Sequence, residues 1–102
     1  MKPYYQDDWA TLYLGNSLKV LKELPDNIIQ TCVTSPPYWA LRDYGIDDQL
    51  GLESTPEQYI KNMVLIFREV WRVLKNDGTL WLNIGDSYYN YRPGKGQALV
   101  KQ

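Results

Sequence analysis

The sequence predicts an α/β fold whose strands run mainly parallel, and three observations carry that expectation. A short β-rich run, a helical run and an apolar run follow one another between Thr11 and Val33, the order of a βαβ unit. A long helical pattern from Thr55 to Leu74 then leads into an alternating strand, Thr79 to Ile84. Between these units stands Thr34-Ser35-Pro36-Pro37-Tyr38-Trp39, which two successive prolines keep from continuing as an inner strand or entering a helix. It is a stiff turn at the carboxyl end of a strand, the place where open α/β sheets bind ligands.

Met1 to Trp9 is polar and aromatic, and reads as a leading segment packed on the domain through Tyr4, Tyr5 and Trp9. Thr11 to Leu14 is the first strand, ended by Gly15. Asn16 and Ser17 are both good N-cap residues for a short helix with Leu18, Leu21 and Leu24 three apart, stopped by Pro25. Ile28 to Val33 is the apolar strand that enters the proline turn. Ala40 to Ser54 has little periodicity and two glycines, so it is either a lid over the turn or a solvated connection. Thr55, Pro56 and Gln58 make a capped start for the long helix, with Gln58 completing a capping box. Its apolar face is Ile60, Met63, Val64, Phe67, Val70, Trp71 and Leu74, and Asn76-Asp77-Gly78 stops it. Leu80, Leu82 and Ile84 share one side of the last strand. The tail from Tyr88 to Gln102 mixes tyrosines with Arg92, Lys95 and Lys101; it either contacts phosphates and bases or is a frayed end.

With 102 residues the chain is long enough for one small domain. Its net charge of −1 argues against an autonomous grip on nucleic acid, which draws most of its affinity from basic residues. Histidine is absent and Cys32 is the single cysteine, so the cluster a zinc deaminase needs is missing. Cys32, inside an apolar strand, reads as a small core residue rather than a nucleophile. No signal peptide or membrane-spanning run is present, and a cytoplasmic location is the simplest expectation.

The turn itself carries a particular chemical set. Ser35 offers a hydroxyl that accepts as well as donates, and Pro36 a carbonyl held by rigid neighbours. Tyr38 and Trp39 add aromatic faces. Together these suit a flat ring with an exocyclic amine, such as a nucleobase flipped out of a duplex. Ser-Pro-Pro-Tyr-Trp resembles the catalytic motif of DNA amino-methyltransferases, which methylate the exocyclic amine of cytosine (N4) or adenine (N6).

The resemblance spans about residues 11 to 90, in the permuted order in which the glycine-rich cofactor motif comes last. It implies a partial Rossmann-like methyltransferase fold using S-adenosylmethionine, with residues 1–102 as a single partial catalytic domain. Gly15, Asn16 and Thr34 would approach the cofactor, although the family commonly has Asp at the position of Asn16. Ser35, Pro36, Pro37 and Tyr38 would be catalytic, and Trp39, Asp86 and Ser87 would meet the substrate from the same rim. Serine at position 35 leans toward a cytosine target. The implied chemistry is direct attack of the amine nitrogen on the sulfonium methyl group, with no covalent enzyme intermediate.

Neither the glycine-rich motif Phe-x-Gly-x-Gly nor a target-recognition region occurs in the chain. In the family's sheet two further strands would lie between those near Tyr13 and Val33, leaving two empty positions of about 4.8 Å each. The resemblance therefore implies an amino-terminal part that relies on the missing half of a methyltransferase or on a second copy, as a homo-oligomer, with DNA as the substrate. Two other readings stand beside it. One is a degenerate remnant that binds protein or nucleic acid, and the other is an enzyme that methylates an amine outside DNA.

Overall fold

The computed structural model describes residues 1–40, 43–47, 49–85, 88–92 and 97–100, the last two stretches by backbone alone. Its centre is a parallel pair of strands, β3 (Ile29–Thr34) and β4 (Leu74–Leu82), linked through helix α2 (Pro56–Val73). Register runs from Thr31 opposite Thr79 to Thr34 opposite Leu82, and Asn83 N–H donates to the Thr34 carbonyl at 3.0 Å, carrying the ladder to the edge of the proline turn. Thr31 and Thr79 also join through their hydroxyls at 2.9 Å. The fold is mixed α/β as expected, but among the described residues parallel pairing is confined to β3 and β4. The other two pairs are antiparallel hairpins.

One of these is built from β1 (Tyr5–Gln6) and β2 (Thr11–Leu12). The first strand of the expected βαβ unit thus pairs backward onto the leading segment rather than standing parallel within a sheet containing β3. Local chemistry closes the hairpin: Asp7 accepts from the Tyr5 hydroxyl at 2.7 Å and from the N–H groups of Trp9 and Ala10 at 2.8 Å each. These bonds hold the Asp7 carboxyl below its ordinary range, the Tyr5 bond most of all. Tyr4, Tyr5 and Trp9 do not pack on the domain, and Trp9 is 95 % exposed. In the other, β5 (Tyr88–Arg92) pairs with β6 (Gln97–Val100), so the described part of the tail is paired as strands; contact with nucleic acid is a separate matter.

Helix α1 (Ser17–Lys22) takes Asn16 as its N-cap, whose side chain accepts from Lys19 N–H at 3.2 Å. Leu18, Leu21 and Leu24 are half-buried on its inner side. Helix α2 is capped by Thr55, which accepts from Gln58 N–H at 3.1 Å, and Pro56 opens it. The capping box is only half closed, because the Gln58 side chain donates to Asn62 at 3.1 Å instead of returning to Thr55.

The buried stripe of α2 is Tyr59, Met63, Val70 and Val73. Ile60, Val64 and Trp71, expected in the core, lie one position further around the helix and face solvent; Trp71 is 80 % exposed. At its far end α2 hands its last carbonyls to the start of β3. Asn27 and Ile28 N–H donate to the carbonyls of Arg72 and Val73 at 3.1 and 2.9 Å, satisfying groups that a helix end leaves open. The Arg72 guanidinium meets Asp26 at 2.5 Å, Glu69 at 3.2 Å and the Leu21 carbonyl at 2.8 Å, tying α1, α2 and the intervening turn together. Asn76-Asp77-Gly78 does not separate helix from strand. Chain direction changes at Leu74, and these residues form an irregularity within β4, where a Cβ on Gly78 would lie 2.9 Å from the Lys75 carbonyl.

One face of the β3–β4 pair looks toward α2: Cys32 lines a groove with Phe67 and Val70. The opposite face is bare. Val33 and Trp81, cross-strand neighbours, are 78 % and 66 % exposed. Beyond the pairing with β4, β3 has no further strand partner among the described residues.

Candidate active site

The proline turn leaves β3 at Thr34 and is held from one side by α2 and the returning loop. The Tyr59 hydroxyl, on the buried stripe of α2, donates to the Pro37 carbonyl at 2.8 Å. Trp39 donates its indole N–H to the Glu53 carbonyl at 2.8 Å, and Ala40 N–H donates to the Gly51 carbonyl at 2.6 Å. Glu53 is in turn fixed by Gly51 N–H at 2.8 Å and by the Asn62 amide at 2.9 Å. The end of the 40–54 loop is therefore stitched to the turn. Gly51 permits the approach: its φ is +107°, and a Cβ there would lie 2.8 Å from the Tyr38 carbonyl.

Burial pushes the Tyr59 phenol above its ordinary pKa, with the Glu53 carboxylate and Tyr38 adding to the shift. The phenol thus keeps its proton and acts as a donor to Pro37. Burial likewise pushes the Cys32 thiol up, which disfavours the thiolate a nucleophile would need.

Tyr38 lies across the end of the neighbouring strand. A Cβ at Gly85 would sit 2.6 Å from Cε2 of its ring, so only glycine lets the ring rest against that backbone. The ends of β3 and β4 consequently share one rim. Asp86 and Ser87, expected there as substrate contacts, lie outside the described residues, as do Arg42, Lys95 and Lys101.

Against this scaffold two polar atoms stand apart. Among the described residues nothing hydrogen-bonds the Ser35 hydroxyl or the Pro36 carbonyl, although Pro37 and Trp39 beside them are both engaged. A groove of about 610 Å³ runs from these atoms along β3 to α1 and the Tyr13 segment; Gly15, Thr34, Ser35, Pro36 and Pro37 all line it. Asn16 lies on a neighbouring cavity of about 170 Å³ with Glu53 and Asn62, and its side-chain oxygen is already occupied by the helix cap. Trp39, expected as a substrate contact, is half-buried and tied through its indole N–H to Glu53.

The groove lies within the size range of cofactor sites, about 300–1,000 Å³. Gly15, Tyr13 and the apolar residues Val20 and Leu21 fit the flat adenosyl part of S-adenosylmethionine. No charged residue lines it that could pair with the amino-acid end, so the described residues fit the cofactor in part.

Tyr59, Glu53, Asn62 and Gly85 take part in this architecture without having been singled out in the sequence. For Gly85 the signal was its place between an alternating strand and Asp86. For Tyr59 it was the four-residue step to Met63.

Comparison with known proteins agrees with the geometry. A family model described as DNA methylase matches residues 29–101. The type II methyltransferase M.SfiI of Streptomyces fimbriatus is 62 % identical over 79 residues, covering 78 % of this chain and 19 % of the relative. M.Cfr9I of Citrobacter freundii is 58 % identical over 79 residues, 78 % of this chain and 26 % of its own length. M.ScaI of Streptomyces caespitosus is 36 % identical over 98 residues, 96 % of this chain and 29 % of its own length. The chain thus spans less than a third of each of these relatives. No solved structure matches it. With most of the chain inside the matched region, and with the proline turn within it, the protein belongs to the N6/N4 DNA methylase family.

Proposed function

We propose that this chain carries the amine-holding turn of a type II DNA methyltransferase, acting on cytosine at N4, with adenine N6 as the alternative target. The observation that carries this reading is the pair of unengaged acceptors, the Ser35 hydroxyl and the Pro36 carbonyl, at the carboxyl end of a parallel strand. Gly15, Thr34 and their groove neighbours would hold the adenosyl part of S-adenosylmethionine, the methyl donor of the family. When bound, the cofactor supplies an electrophilic methyl group.

The work of the chain's own residues follows from where they stand. Ser35 and Pro36 accept the two N–H bonds of the amine and aim its nitrogen. The positive charge that would grow on that nitrogen as it takes the methyl group, the methyl–sulfur bond being the one broken, would be stabilised by the same two acceptors until one N–H proton passes to solvent. Tyr38 offers its ring to the flipped base, and Asp86 and Ser87 are the further substrate contacts that the sequence motif implies. Pro37 contributes rigidity, since its carbonyl is already taken by Tyr59.

The bare β3–β4 face and the unpaired edge of β3 support a further part of the proposal. The remainder of a methyltransferase, or a second copy of the chain, covers them and supplies the rest of the cofactor site.

The test places residues 11–89 of this chain in the M.Cfr9I framework and measures methyl transfer from labelled S-adenosylmethionine to DNA. Ser35→Ala and Tyr38→Ala are each expected to lower the rate about a hundredfold. Undiminished rates in both would sink the assignment, and analysis of the methylated nucleoside separates cytosine from adenine.

A further inference from the structure

We infer that Tyr59 is a positioning residue for methyl transfer, because its hydroxyl grips the Pro37 carbonyl and so aims the Pro36 carbonyl at the amine. This rests on the function proposed above and adds a residue of α2 that touches neither base nor cofactor.

The argument is one of dihedral angles. The pyrrolidine ring fixes φ of Pro37 near −65°. Its remaining rotation, ψ, decides where the Pro37 carbonyl points, and the 2.8 Å bond from Tyr59 pins that carbonyl. With both angles of Pro37 set, the peptide plane between Pro36 and Pro37 has one orientation relative to α2. That plane contains the Pro36 carbonyl. A second tie, Trp39 to the Glu53 carbonyl at 2.8 Å, holds the far side of the turn. Tyr59 is itself 7 % exposed and packed in the core stripe of α2, so the grip is referred to the buried side of that helix. Its phenol is kept protonated by burial, as a donor must be.

The arrangement also decides which carbonyl serves the substrate. Two adjacent proline carbonyls could in principle accept from an amine. Tyr59 occupies one, and the other is left beside Ser35.

Tyr59→Phe removes the hydroxyl and keeps the ring. In the chimeric enzyme described above, single-turnover transfer at saturating DNA and cofactor is expected to fall about tenfold or more. KM for both substrates and the melting temperature are expected to stay unchanged, which a purely structural role would not give. A transfer rate equal to that of the parent overturns the inference, as does a loss matched by an equal loss of binding or melting temperature. Ser35→Ala run alongside separates the two ideas: slow Ser35→Ala with normal Tyr59→Phe sinks only this inference, whereas two normal rates sink the parent reading. Should the parent chimera transfer nothing, carbonyl-carbon NMR on the 102-residue chain decides the matter. The Pro37 carbonyl resonance is expected to move on Tyr59→Phe, and an unmoved resonance overturns the inference.

Discussion

The two ends of β3 are both tied to α2, but by different kinds of bond. At the entry, the tie is ionic and half open to water: Arg72 with Asp26, Glu69 and the Leu21 carbonyl, the Asp26 side chain being 67 % exposed. At the exit it is neutral and sheltered: Tyr59 to the Pro37 carbonyl and Trp39 to the Glu53 carbonyl. An exposed ion pair adjusts easily and is weakened by salt. A buried neutral bond holds one direction and is indifferent to salt. The chain thus spends its adaptable contacts where only connection matters and its directional contacts where an acceptor must be aimed.

The contrast can be broken most strongly at the exit. Gly51→Ala places a methyl group 2.8 Å from the Tyr38 carbonyl at a backbone angle alanine resists, so both the loop and the turn must shift. The expected cost is about 2 kcal/mol of stability by denaturant unfolding, with a loss of transfer in the chimeric enzyme.

Arg72→Met keeps the aliphatic stem and removes the charge at the entry end. A smaller drop in melting temperature is expected, unfolding should become less sensitive to added salt than in the parent, and transfer at saturating substrates should be retained. Equal salt dependence in both proteins would show that the entry tie is not ionic in effect.

The least effect is expected from alkali. The Tyr59 pKa is raised on folding, so ionising the phenol costs stability: the fold is unaffected below the unfolded value and is weakened as pH rises through the folded one. A melting temperature that declines above pH 10 and declines less in Tyr59→Phe would sharpen the comparison.

Much of this was legible in the residues, and the reasons are local. Two prolines stop a strand whatever surrounds them, so the turn at the end of β3 could be placed from sequence. Thr55-Pro56 likewise announces α2. The helix face was harder. Counting hydrophobic type alone took Ile60, Val64 and Trp71 as core and passed over Tyr59, because a phenol looks amphipathic until its hydroxyl has a partner. That partner, the Pro37 carbonyl, is 22 residues away. The pairing of β1 with β2 also escaped, since strands as short as two residues show no alternation to read. Gly85 escaped as well, because its need to be glycine is set by the ring of Tyr38 in the distant proline turn.

The bare face bearing Trp81 has an optical consequence. Trp9, Trp71 and Trp81 stand in water, at 95, 80 and 66 % exposure, and only Trp39 is half-sheltered. Indole emission moves to shorter wavelength as water is withdrawn from the ring. Whatever covers β3 and β4 therefore shifts the chain's own fluorescence to the blue, and the protein reports its assembly without a label.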